Sequence, residues 1–124
     1  MFVEIILNSM VEYKNDETLT ELLKAVSDTT RRALLTQLSQ QGASRVTDLA
    51  DDYDMSLNAI SKHIKVMEKA QLVTRKTIGR THWIEANLDR IEIAEMWFKE
   101  LKSIWELRLE KLGKLMTNGD KTDD

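Results

Sequence analysis

The chain has 124 residues, with 18 lysines and arginines against 21 acidic residues, and it contains neither cysteine nor proline. This length suits one domain with one modest core. The lack of cysteine excludes disulfides, thiolate metal sites and cysteine nucleophiles. The lack of proline, with only four glycines, favours long helices. No apolar run reaches the roughly 20 residues of a membrane span, and the first residues do not form a secretory signal. We therefore expect a cytoplasmic protein with no membrane association.

The first half of the chain predicts three helices. After an N-terminal tail over residues 1–15, Asp16 is expected to cap the first helix, and Asp28 the second, which ends at Gly42. Thr47 is expected to cap a short third helix. The apolar face of the first helix is formed by leucines at helical spacing, namely Leu19, Leu22 and Leu23.

The segment from Ser56 to His82 concentrates positive charge, because it has six lysines and arginines and a single acidic residue, Glu68. Ser56 is expected to cap a fourth helix. One side of this helix is predicted to be a buried stripe, formed by Ile60, Ile64 and Met67. The other side carries Leu57, Asn58, Ser61, Lys62 and Lys65. A short helix, a tight turn and a capped second helix indicate a helix-turn-helix, whose polar side chains can reach base edges in the major groove. The alternative is a merely solvated lysine face.

A β-hairpin is predicted to follow, because valine, threonine and isoleucine flank a glycine-containing turn. Lys76 and Arg80 make this hairpin basic, with Arg80 at or beside its tip. Such an arginine can pair with phosphate or enter a minor groove. The predicted fold is therefore mainly α with a small β-wing, a winged helix-turn-helix of order α-α-α-α-β-β-α.

A long last helix is predicted to open at Asn87 or Asp89. Its apolar residues recur every three or four positions, among them Trp97, Leu101, Trp105, Leu109 and Leu112. This surface is larger than a small domain can bury alone, and two tryptophans are typical of a dimer interface. The alternative is that both tryptophans only complete the intramolecular core. We expect one domain over residues 16–116 and a polar tail over residues 117–124.

These segments together resemble the ArsR-type winged-helix repressors of bacteria and archaea, in the branch without metal-sensing cysteines. The resemblance covers about Leu19 to Met116. It rests on AVSDTTRRALLTQL, on VTDLADDYDMSLNAISKHIKVMEKAQLV, on the wing TRKTIGRTHWIEA and on the tryptophan helix. It implies a homodimer through the first and last helices that binds an inverted repeat in double-stranded DNA and represses transcription. The positions that match the family's DNA contacts are Ser56, Leu57, Asn58, Ser61, Lys62 and Arg80, and His63 matches the family's histidine.

Three functions other than a DNA-binding repressor are compatible with parts of this pattern. Metal-sensing members of the family use a cysteine pair before the recognition helix or histidines on the last helix, and this chain has neither, so we expect no metal or cofactor. An enzyme is disfavoured because Ser61 and His63, two residues apart on a helix, point to different sides. A winged-helix module that binds proteins instead of DNA is the remaining alternative. A DNA-binding repressor could also bind a small-molecule inducer, whose identity the sequence does not specify.

Overall fold

The computed structural model describes residues 16–122, and the side chains of residues 16–117. Five helices and three strands are found in that range. They are α1 over residues 16–25, α2 Thr29–Gln41, β1 Ser44–Arg45, α3 Val46–Asp52, α4 Leu57–Lys69, β2 Val73–Ile78, β3 Thr81–Ala86 and α5 Ile91–Thr122. The prediction of a mainly helical fold with a small β-wing is confirmed. The predicted tail over residues 1–15 lies outside the described range.

The chain divides after Ala94 into two compact units, of which the first holds α1 to α4 and the sheet. Its core is apolar throughout, and no polar side chain is buried among the described residues. The side chains that are almost completely covered are Leu22, Leu34, Leu38, Leu49, Ile60, Ile64, Met67, Leu72 and Ile84. The stripe predicted on the fourth helix is confirmed, because its three members have no exposed surface. Burial of this stripe fixes which face of α4 is left for solvent.

Two of the predicted helix caps are confirmed by their hydrogen bonds. The Asp28 carboxylate accepts from the backbone N–H of Arg31 at 3.0 Å, and the Ser56 hydroxyl accepts from that of Ala59 at 3.1 Å. Each bond satisfies a backbone donor that has no partner within the first turn of its helix. Gly42 ends α2 with φ 83°, a left-handed conformation that glycine adopts without strain.

The predicted cap of the third helix is wrong. Thr47 lies inside α3, which begins at Val46, and the cap position is Arg45, whose side chain makes no capping hydrogen bond. The reason is a short strand that the sequence did not reveal: Ser44 and Arg45 form β1, paired with Ile84 and Trp83. Because the chain passes directly from this strand into α3, pairing with the sheet sets where the helix starts.

The wing is a three-stranded antiparallel sheet in the order β1-β3-β2. Its hairpin pairs Val73 with Ala86 at one end and Ile78 with Thr81 at the other, joined by Gly79 and Arg80. Gly79 has φ 63° while Arg80 does not have a positive φ. This is the pattern of a type II′ turn, which requires glycine first and matches the twist of the strands.

The start of the last helix also differs from its prediction. Asn87 and Asp89 do not open α5, which begins at Ile91. The side-chain oxygen of Asn87 accepts from the Asp89 N–H at 3.2 Å, and the Asn87 N–H donates to the Leu72 carbonyl at 2.7 Å. These bonds hold the chain in a turn before the helix. At its other end α5 continues to Thr122, beyond the start of the tail predicted at residue 117.

The second unit, from Glu95 onward, is the greater part of α5. Its large apolar side chains are exposed, including Trp97 (39%), Leu101 (50%), Trp105 (59%), Leu109 (47%) and Leu112 (46%). Trp97 packs edge-on against Phe98, with ring centroids 5.0 Å apart. No helix in the range 16–122 is long and apolar enough to cross a membrane.

Candidate nucleic-acid interface

The recognition helix α4 presents one polar and basic face. Opposite its buried stripe, Leu57 is 53% exposed, and Asn58, Lys62 and Lys65 are exposed, while Ser61 is half-buried. Since the Ser56 cap starts the helix immediately before Leu57, these side chains project from its first turns. The structure therefore brings the predicted major-groove residues onto a single face.

The turn between α3 and α4 is held by the backbone. Asp54 adopts φ 49°, which aspartate tolerates better than most residues, and the Met55 N–H donates to the Ala50 carbonyl at 3.0 Å. Tyr53 lies half-buried at the end of α3, and burial raises the pKa of its hydroxyl. These contacts make α3, the turn and α4 a helix-turn-helix.

The wing is tied to the recognition helix by an ion pair that the sequence did not predict. Arg75 of β2 donates to the Glu68 carboxylate of α4, from Nη2 to Oε1 at 2.8 Å and from Nε to Oε2 at 3.4 Å. The contact is bidentate, a geometry that fixes orientation as well as distance. Lys76 and Arg80 are exposed on the same hairpin, and Arg80 is the second residue of the tip, as predicted. Thus Glu68, the one acid of the basic segment, serves to anchor the wing.

A pocket with a volume of about 380 Å³ lies between α4, the start of α3 and the wing tip. Its lining combines predicted DNA-binding residues with others that the sequence did not single out, and consists of Arg45, Val46, Thr47, Leu57, Ser61, Arg75, Arg80, Thr81 and His82. Arg45 is also held by Asp48 at 2.9 Å. Arg45, Val46 and Thr47 reach this surface because β1 pairs with β3, and a two-residue strand leaves no periodicity in the sequence.

His63, which is predicted to bind DNA, lies beside charged residues of α2 and its cap. Its Nδ1 lies 3.2 Å from Nη1 of Arg31 and 3.9 Å from the Asp28 carboxylate, and only 21% of the side chain is exposed. The ring therefore faces α2 through its Nδ1 edge. The backbone N–H of Arg31 lowers the pKa of Asp28, an effect that desolvation partly opposes. His63 belongs to a polar cluster that joins helices.

Of the three predicted dimer residues on α1, two have side-chain surface that a second protomer can contact, and one does not. Leu19 and Leu23 are half-buried, whereas Leu22 is 2% exposed and packs in the core of the first unit. The prediction of Leu22 at an interface is therefore corrected: its side chain is already covered within one chain. The error arose because helical spacing identifies an apolar stripe without telling which neighbour covers it.

Comparison with known proteins agrees with this architecture. A family model described as a helix-turn-helix domain matches residues 26–76. The arsenical resistance operon repressor of Bacillus subtilis (strain 168) is 30% identical over 102 residues, which cover 77% of this chain and 95% of the repressor. The crystal structure of an ArsR family transcriptional regulator matches with 32% identity and a TM-score of 0.69, covering 73% of this chain and 93% of that one.

A third comparison concerns the fold alone. The homodimeric winged helix-turn-helix DNA-binding domain of a possible ArsR-family regulator from Mycobacterium bovis has a TM-score of 0.60 at 18% identity, covering 75% of this chain and 87% of that one. Fold and sequence matches together define the class of the protein: a winged helix-turn-helix transcriptional regulator that binds DNA, a class of regulators and not of enzymes. Within that class, the chain belongs to the ArsR family of transcriptional repressors, and its lack of cysteine fits the cysteine-free branch.

Proposed function

We propose that this repressor acts as a homodimer that reads an inverted repeat with one α4 helix from each protomer, without a metal ion. The observation that carries the proposal is the division of α4 into a completely buried stripe and an exposed face of short polar and cationic side chains. A helix with this face, placed after a short first helix and a tight turn, suits the major groove.

Different residues of this surface are proposed to make different contacts. Asn58, Ser61 and Lys62 lie near the start of α4, and their side chains offer donors and acceptors to base edges. Leu57 is the apolar member of the face and suits a thymine methyl group. The residues assigned to backbone phosphates are Ser56, Lys65, Lys76 and Arg80, with the minor groove as a second position for Arg80. We propose an indirect role for His63, because Arg31 lies 3.2 Å from its Nδ1.

The dimer is proposed to form through α5, with a contribution from Leu19 and Leu23 of α1. The exposed apolar face of α5 supports this, since a contiguous patch of this kind marks an association surface. The Mycobacterium bovis domain of similar fold is a homodimer. A two-fold dimer of this class sets its recognition helices one DNA turn apart, roughly 34–36 Å, and so reads a palindrome.

Metal independence is proposed from the chemistry of the side chains. The Bacillus subtilis relative is named for arsenical resistance, but a thiophilic ion needs thiolate ligands and this chain has no cysteine. Among residues 16–117, no three histidine or acidic side chains are grouped closely enough to hold a metal ion. Relief of repression is therefore assigned to a non-metal signal such as a small-molecule inducer. The proposed site of action is the cytoplasm, as expected for a transcriptional regulator of this family.

The deciding experiment is selection of bound sequences from a random pool of double-stranded DNA with the purified full-length chain. We expect enrichment of a palindrome whose half-sites are one helical turn apart. Titration of the selected operator and of random DNA at several salt concentrations then measures the specificity ratio. Recovery of no preferred sequence would contradict the proposal and favour a winged-helix module that binds a protein.

A further inference from the structure

The side chain of Arg31, in the first turn of α2, bonds to two other helices at once. Its Nε donates to the Ala25 carbonyl at 2.7 Å and its Nη2 to the Lys24 carbonyl at 3.1 Å, both at the end of α1. Its Nη1 reaches Nδ1 of His63, in the middle of α4, at 3.2 Å. One guanidinium thus connects the end of the first helix, the start of the second and the recognition helix.

The chemistry of these contacts fixes the ring of His63. A guanidinium only donates hydrogen bonds, so Nδ1 of His63 takes the acceptor role in this contact. The planar fork of arginine holds its donors in set directions, which a lysine ammonium cannot reproduce. The carbonyls of Lys24 and Ala25 in turn fix the guanidinium, since carbonyls in the last turn of a helix lack partners within it.

This link is the directional restraint on α4 from the α1–α2 side. The buried stripe of Ile60, Ile64 and Met67 fixes which face of α4 meets the core, but apolar packing restrains a small rotation of the helix less sharply than a hydrogen bond of set geometry does. A hydrogen bond of fixed geometry resists rotation of the helix about its axis. Asn58 and Lys62 precede His63 by five residues and one residue, so any rotation at His63 displaces both of them relative to DNA.

We propose that Arg31 is a positioning residue for DNA reading, which acts through His63 to set the rotation of α4 against the core. The inference rests on the proposed function and adds to it a residue that does not itself contact DNA. Loss of the link should lower affinity for the selected operator and leave affinity for random DNA nearly unchanged, because phosphate contacts tolerate a small rotation and base contacts do not.

Two substitutions of His63 separate positioning from direct DNA contact. His63→Asn keeps an acceptor near the place of Nδ1, whereas His63→Gln places its polar group near that of Nε2. If the link to Arg31 is what matters, His63→Asn should bind operator nearly as the parent does, and His63→Gln should bind about tenfold more weakly. The reverse order would mean that His63 contacts DNA through Nε2, and it would overturn the proposal.

Arg31 and Arg32 provide a matched pair of variants. Arg32 also donates to a carbonyl after α1, that of Val26 at 2.7 Å, and contacts Thr29, but no contact joins it to α4 in the described range. Arg31→Lys should lower operator affinity about tenfold with random-DNA affinity preserved, and Arg32→Lys should change neither.

Thermal unfolding of each variant shows whether the fold is intact. Equal operator affinity for Arg31→Lys, Arg32→Lys and the parent would overturn the proposal. If Arg31→Lys does not fold, the two variants of His63 still decide. Failure of the parent to select any DNA sequence would instead contradict the proposed function, so the two failures are distinguishable.

Discussion

Trp105→Ala should convert the protein from a dimer to a monomer over a defined range of concentration. Trp105 is 59% exposed in one chain, and a large aromatic side chain offers about 200 Å², so about 120 Å² remains to be covered. At about 25 cal/mol per Å², full burial of this area contributes about 3 kcal/mol for each side chain. Incomplete burial across a two-fold interface gives an expected loss of about 2–4 kcal/mol, or roughly 30- to 700-fold in the dissociation constant.

The chain offers a matched control for this variant. Leu107 is 57% exposed, almost the same fraction, but two residues along a helix it lies about 200° around the axis from Trp105. Leu107→Ala should therefore leave the dimer unchanged. Sedimentation equilibrium from about 0.1 to 100 μM measures both dissociation constants. A monomeric parent over this range, or an equal effect of the two substitutions, would refute the assignment of the interface to this face of α5.

Further predictions concern DNA, metals and acid. Asn58→Ala or Lys62→Ala should reduce the free energy of binding to the operator by about 1–3 kcal/mol and that to random DNA by far less, as measured by titration of both DNAs. Lys76→Ala should weaken binding to operator and to random DNA by the same factor. It should also lower the slope of log affinity against log salt concentration by about 1 for each phosphate contact removed. One equivalent of zinc or arsenite should leave operator affinity unchanged, and a loss reversed by chelator would contradict metal independence. The pKa of Asp28 is lowered, so its stabilising effect is complete above the ordinary aspartate pKa and lost as the pH falls through the lowered value. The variant Asp28→Asn keeps the helix cap but does not titrate. Its melting temperature should therefore decrease less on acidification than that of the parent.

The elements that carried strong local signals could be predicted from the sequence. The spacing of Ile60, Ile64 and Met67 located the buried stripe of α4, and the Ser56 cap located its first turn, so the exposed face followed directly. A glycine between β-branched residues located the hairpin and put Arg80 at its tip. Each of these signals depends on residues close together in the chain, where helix and strand periods are readable.

The features that depend on distant residues could not be predicted. Ser44 and Arg45 become a strand only because β3 lies beside them, and that pairing moved the start of α3 away from Thr47. The ring of His63 is held by Arg31, 32 positions earlier, and no pattern in the sequence joins the two. Leu22 shows the same limit, since spacing marks it as apolar but only packing shows which surface covers it.

The order of the strands also bears on how copies of the protein can meet. In the described part of the chain β2 is an edge strand, with backbone donors and acceptors that could extend the sheet into another molecule. Lys76 stands exposed at the middle of this edge, next to Arg75, whose charge is paired with Glu68. Two such edges in antiparallel approach would bring cations against cations, a common safeguard against the growth of intermolecular sheets. Lys76, which is assigned to DNA, thus also opposes aggregation through the wing, which leaves α5 as the surface for ordered assembly.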